Sequence, residues 1–135
     1  MDPAVLGALR QAEELELITT GRLTGRPHSV RLAFAYADGG VWLRTDERPP
    51  PADASGIHRR RGRERDPDWL RNLADHPRCE ILVGQARISA VYERSTDPEA
   101  DLRRTVELMR EKYGGDWVAD WYVDRGRVPV RLRLE

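Results

Sequence analysis

Lysine, cysteine and phenylalanine occur once each in these 135 residues, as Lys112, Cys79 and Phe34. A lone cysteine excludes an internal disulfide and a cysteine-rich metal site. Cys79 stands at the head of an apolar strand, so a buried structural thiol is expected there. No run approaches the ~18 apolar residues of a membrane span. The opening MDPAVLGALRQAEE has neither the basic n-region nor the apolar core of a signal peptide. These absences lead us to expect a cytoplasmic protein with no membrane span. Net charge is missing as well: 23 basic residues stand against 23 acidic ones. Whole-molecule attraction to nucleic acid is therefore not expected. His28, His58 and His76 have no metal-ligand spacing, and no solenoid repeat, Rossmann or P-loop fingerprint is present.

What is present describes a soluble globular chain, 39% hydrophobic and 34% charged, long enough for one domain over 1–135 with a real core. Three Asp-Pro pairs, Asp2-Pro3, Asp66-Pro67 and Asp97-Pro98, mark helix starts, Asp as N-cap and Pro preorganised for the first turn. The second helix sets Trp69, Leu70 and Leu73 on one face and stops at His76-Pro77; the third presents Leu102, Val106, Met109 and Tyr113 before Gly114. Extended segments are expected over 15–20, 29–37, 41–45, 79–83, 87–94 and 128–134, with turns at Asp38-Gly39-Gly40 and Gly84-Gln85. Six short strands with helices between them and at the ends predict an α+β fold built on a small antiparallel barrel.

The segment 19–32, TTGRLTGRPHSVRL, joins the first two strands. Gly21 and Gly25 accept φ > 0 and expose backbone N–H groups. Arg22 and Arg26 carry planar cations suited to phosphate oxygens, and Thr19, Thr20, Thr24 and Ser29 add short donors. The composition describes an anion cradle on a β scaffold, or else an ordinary hairpin with solvated arginines.

The segment 46–65 lacks periodicity and contains Arg48-Pro49-Pro50-Pro51; its second half sets five arginines against Glu64. Loops of that length are functional or disordered. This one is a clamp for a polyanion, a nucleic-acid contact or a solvated mobile loop. It has no aromatic platform, which argues against nucleic acid. Trp69 and Asn72, three apart on the second helix, share a face: either the helix edge of a pocket or a core tryptophan with an asparagine capping a neighbouring strand. Tyr113, Trp117, Trp121 and Tyr122 form a dense aromatic group, read as core packing or as the wall of a site for a flat substrate.

The order of these pieces resembles the deazaflavin-dependent nitroreductase and quinone reductase family. The carriers are TTGR-x-[ST]-G at 19–25, P-x-W-x-x-N-L-x-x-x-P at 67–77 and DR-x-x-VPV at 124–130. The family belongs to the flavin-binding split β-barrels related to pyridoxamine 5′-phosphate oxidase. The resemblance covers roughly 14–134. It implies a six-stranded antiparallel split barrel, a homodimer, and coenzyme F420 as hydride carrier, with FMN, FAD or haem as alternatives in the same barrel. A non-catalytic module with an anion-recruiting basic loop is the alternative from another class. The resemblance sets Arg22, Thr24, Gly25 and His28, with Arg61 and Arg63, at the anionic tail. It sets Thr45, Trp69 and Asn72 near the ring. Trp117, Trp121 and Tyr122 then shape the substrate pocket, and Tyr113 is the catalytic candidate for proton supply. The implied acceptor is a small planar molecule: a quinone, nitroaromatic or enone. The chain differs from the family at Leu23, His28 and Arg31, where a basic residue, arginine and proline are common. The long 46–65 loop replaces a short Ser-Lys-Gly-Gly connection.

Overall fold

A computed structural model describes residues 1–45, 66–114 and 128–135. The chain runs α1 (Pro3–Gln11), β1 (Glu14–Thr20), β2 (Pro27–Ala33), β3 (Ala35–Ala37), β4 (Gly40–Arg44), α2 (Asp68–Asp75), β5 (Arg78–Val83), β6 (Ala86–Glu93), α3 (Pro98–Tyr113) and β7 (Pro129–Leu134). The strands form one sheet in the order β2-β1-β5-β6-β7-β4-β3, and every neighbouring pair is antiparallel. The fold is α+β, as expected.

Local chemistry explains most boundaries. Asp2 accepts the Ala4 N–H at 2.8 Å and Asp97 that of Ala100 at 3.2 Å, so two of the three Asp-Pro pairs cap as expected. The third differs. Pro67 is the N-cap of α2, its carbonyl taking the Arg71 N–H at 3.1 Å, and Asp66 lies one residue too early to cap. Asp38 and Gly39, with φ of 55° and 73°, make the two-residue turn between β3 and β4, the primed-turn geometry that suits twisted hairpins. Alternation sends Leu15, Leu17 and Thr19 of β1 and Cys79, Ile81 and Val83 of β5 inward, where Trp69, Leu70 and Leu73 of α2 close the main core. A second cluster sets Leu102, Val106, Leu108 and Met109 of α3 against Ala35 and Trp42. Burial and the hydrogen bond from Sγ to the Ala90 carbonyl leave Cys79 a structural thiol, its pKa pushed up to about 12 by desolvation.

Among the described residues the strand count is seven rather than six. The strand expected over 29–37 is interrupted at Phe34, and its halves β2 and β3 lie at opposite ends of the sheet order. Two virtual bonds span at most about 7.6 Å. The two outer strands must therefore come together at Phe34, which curls the sheet into a split barrel. At this corner no strand pairs with Phe34, and α3 takes over its backbone groups. Tyr113 Oη accepts the Phe34 N–H at 3.1 Å, and its own proton is shared between the carbonyls of Phe34, 3.0 Å away, and Glu13. Lys112 Nζ donates to the Phe34 carbonyl at 2.8 Å and lies 3.5 Å from the centroid of its ring.

Desolvation at this corner lowers the Lys112 pKa to about 8, partly opposed by Glu13. The unfolded chain, with an ordinary lysine, keeps the proton to higher pH than the fold does. The stability this group contributes therefore rises from about pH 8 towards pH 10.5 and is level below about pH 8, where both states hold the proton. Relative to Lys112→Met, the wild-type protein gains thermal stability across that window. Parallel melting curves of the two proteins over the window test the assignment.

Candidate active site

The loop between β1 and β2 is folded on itself before any ligand is considered. The Gly21 N–H donates to the Arg26 carbonyl at 2.7 Å, and the Gly25 N–H to the Gly21 carbonyl at 2.8 Å. Thr24 Oγ1 accepts the Arg26 N–H at 3.1 Å and lies 3.3 Å from His28 Nε2. Gly25 has φ 72°, the left-handed region that favours glycine. Gly21 matters for a different reason: a Cβ there would fall 2.6 Å from both His28 Nε2 and Thr24 Oγ1, so those side chains would have to move.

Helix α2 fixes this loop through Asn72, which is 3% exposed. Asn72 Oδ1 accepts from the backbone N–H of Arg22 at 3.1 Å and from its Nη1 at 2.9 Å, while Nδ2 donates to Thr19 Oγ1 at 3.1 Å. The two donors on Oδ1 settle which way the amide faces. One turn earlier on α2, Asp68 Oδ1 takes Arg22 Nη2 at 3.3 Å. Asp68 is largely exposed, so that ion pair orients more than it stabilises. The buried amide is the stronger tie.

Together these groups bound a cavity of about 320 Å³ lined by Thr19, Gly21, Arg22, Leu23, Thr24, His28, Ser29, Val30, Asp68, Trp69 and Asn72. Trp69 is both a core residue and a flat wall of this cavity. A second, wider cavity of about 940 Å³ shares the Arg22 wall and runs between α2, the end of β6 and the starts of α3 and β7. The first cavity offers a guanidinium with N–H groups unspent among the described residues, hydroxyls and an imidazole against one carboxylate. That donor set fits a phosphodiester.

Five expected site residues, Arg22, Thr24, His28, Trp69 and Asn72, converge on the first cavity. Gly25 shapes the same loop. Thr45 does not line it. Thr45 is buried, its N–H donates to the Val128 carbonyl at 3.0 Å and its Oγ1 accepts the Val128 N–H at 2.9 Å. It ties the end of β4 to the start of β7, beside the wider cavity that Val128 lines. Tyr113 lines neither of these cavities, because its hydroxyl binds the backbone at the Phe34 corner. The arginine-rich loop expected to be mobile over 46–65, with Arg61 and Arg63, lies outside the described residues, as do Trp117, Trp121 and Tyr122. Sequence reasoning missed Asp68, although its i, i+4 spacing to Asn72 puts both on one helix face. It also missed the Tyr92–Arg94 pair on the wider cavity.

The family of F420H(2)-dependent quinone reductases matches residues 3–135. The chain belongs to that family. It is a deazaflavin-dependent reductase, and its cofactor is coenzyme F420. Solved structures agree on the fold. A conserved hypothetical protein from Mycobacterium tuberculosis is 23% identical, with a TM-score of 0.66 over 99% of this chain and 84% of that one. An F420H2-dependent reductase, FDR-A, is 16% identical, with a TM-score of 0.60 over 93% of this chain and 96% of that one. The haem storage protein HutZ from Vibrio cholerae is 19% identical, with a TM-score of 0.62 over 99% and 89%. No curated protein matches the sequence.

Replacing Asn72 with Ala would leave the Arg22 N–H and the Thr19 hydroxyl without this partner. We expect a loss of about 1–3 kcal/mol in unfolding free energy. Urea denaturation of Asn72→Ala beside wild type measures it; an unchanged midpoint would mean the amide is not the tie described.

Proposed function

We propose that this reductase delivers its hydride to a small, planar, electron-poor acceptor, a quinone, nitroaromatic or enone, and that the β1–β2 loop holds the anionic tail of F420. The observation that carries the reading is the single Arg22 wall common to both cavities, fixed by Asn72 at its backbone and its guanidinium. In this reading the tail phosphodiester lies against Arg22, Thr24, Gly25 and His28. Bound F420H2 supplies the hydride, and Trp69 and Asn72 set the edge against which the ring is positioned.

The protein's own work is then to bind, orient and exclude water. Arg22 neutralises charge on the tail. Its remaining donors are aimed before the ligand arrives, because Asn72 and Asp68 already fix the fork. Arg61 and Arg63 add further cations to the tail side in this reading, and Trp117, Trp121 and Tyr122 wall the acceptor. Thr45 acts indirectly, by holding Val128 at the wider cavity. Tyr113 acts through the Phe34 corner, so its substitution is expected to affect folding before chemistry. A cytoplasmic homodimer completes the proposal; among the described residues no helix is long and apolar enough to cross a membrane.

Fluorescence titration with F420 tests the tail assignment. Arg22→Ala is expected to weaken binding tenfold or more, about 1.4 kcal/mol, while the circular dichroism spectrum stays that of wild type. Equal affinity in a folded variant would remove the loop from the cofactor site.

A further inference from the structure

We propose that Tyr92 is the residue that gives the acceptor its proton, from the wider of the two cavities beside Arg22. The inference rests on the acceptor reading above and assigns to it a chemical group that the family match does not.

Reduction of a quinone or enone needs a hydride and a proton at separate atoms. Of the three described tyrosines, Tyr113 has its hydroxyl bound to backbone, and Tyr36 lines neither cavity. Tyr92 is different. Its backbone is fixed twice, by pairing of β6 opposite Leu132 of β7 and by its N–H, which donates to the Pro77 carbonyl at 2.8 Å. Its ring is half-buried against the core and lines the wider cavity. Its hydroxyl makes no hydrogen bond among the described residues. A rigidly held phenol on a cavity wall, its O–H uncommitted among the described residues, is what a proton donor requires.

The surrounding charges suit that role. Burial raises the Tyr92 pKa, so the phenol stays protonated at neutral pH. Arg94, two residues on, just past the end of β6 and lining the same cavity, pulls in the opposite direction and would steady the phenolate once the proton has left. Asp66 opposes ionisation. Arg22, Arg71 and Asp75 complete the charged wall.

The balance is complete. One acceptor atom gains a hydride and forms a C–H or O–H bond. The acceptor oxygen takes the proton from Tyr92 Oη, breaking that O–H bond. Water returns a proton to the phenolate, and the oxidised carrier releases its second hydrogen to solvent as a proton. The acceptor is reduced by two electrons and F420H2 is oxidised by two.

The test uses the whole chain and 2-methyl-1,4-naphthoquinone as probe. Without cofactor, protein labelled with 13Cζ-tyrosine is titrated with the quinone, and Tyr92→Phe identifies the Tyr92 resonance. That resonance is expected to shift on titration. With F420H2, Tyr92→Phe is expected to lower kcat at least tenfold while F420 affinity stays within twofold. Fluorotyrosine at position 92, a more acidic phenol, restores turnover and moves its alkaline decline to lower pH, which a merely structural role would not do. A folded Tyr92→Phe protein with wild-type kcat, or a Tyr92 resonance that the quinone leaves unmoved, overturns the proposal. Absence of turnover in wild type is a separate result: it defeats the acceptor reading, and the cofactor-free titration still decides whether Tyr92 faces the ligand.

Discussion

The buried amide of Asn72 is the joint on which the site depends. It ties the last inward residue of β1, Thr19, to α2 and holds Arg22 at both its backbone and its guanidinium. Without such a tie, a loop with two glycines and exposed arginines would pay a large ordering entropy on meeting an anion. With it, that loss is taken during folding, offset by core packing of Trp69, Leu70 and Leu73 on the same short helix. In the proposed reading, stability and recognition are thus coupled through one side chain.

Barrel closure works by a related economy of groups. β2 and β3 are neighbours in the chain and opposite edges of the sheet, so the residue between them belongs to neither. Phe34 resolves the conflict by burying its ring completely and giving its backbone N–H and C=O to Tyr113 and Lys112. A buried peptide group left unpaired would be costly. The last turn of α3 removes that cost and docks the helix on the barrel. It also explains why Tyr113 belongs to the architecture rather than to either cavity.

Much of this was legible in the sequence. Asp2-Pro3 and Asp97-Pro98 announce their helices because a capping interaction is local, and the turns at Asp38-Gly39 and Gly84-Gln85 follow from positive φ. The donor-rich composition of the loop, on which the proposed anion site rests, is plain in the sequence as well. The break at Phe34 was not legible, for a definite reason. Val30, Leu32, Phe34 and Tyr36 keep one period-2 rhythm straight through the corner, so alternation carries no sign that the chain changes edges. Nor does helical spacing reveal where Tyr113 sends its hydroxyl, since both acceptors lie about 80 to 100 residues away in the chain. Asn72 could be placed on a face with Trp69, but its partners Thr19 and Arg22 are set by tertiary packing. Tyr92 gave no motif at all. Its interest comes from a cavity that forms only when α2, β6, α3 and β7 meet.

A structure of the protein with F420 bound tests the central claim most directly. The account predicts phosphodiester oxygens within hydrogen-bonding distance of Arg22 and the 21–28 loop, with the Asn72 contacts to Arg22 and Thr19 intact. A cofactor seated elsewhere with that loop uncontacted, or a loop that abandons Asn72 to bind it, would contradict the account.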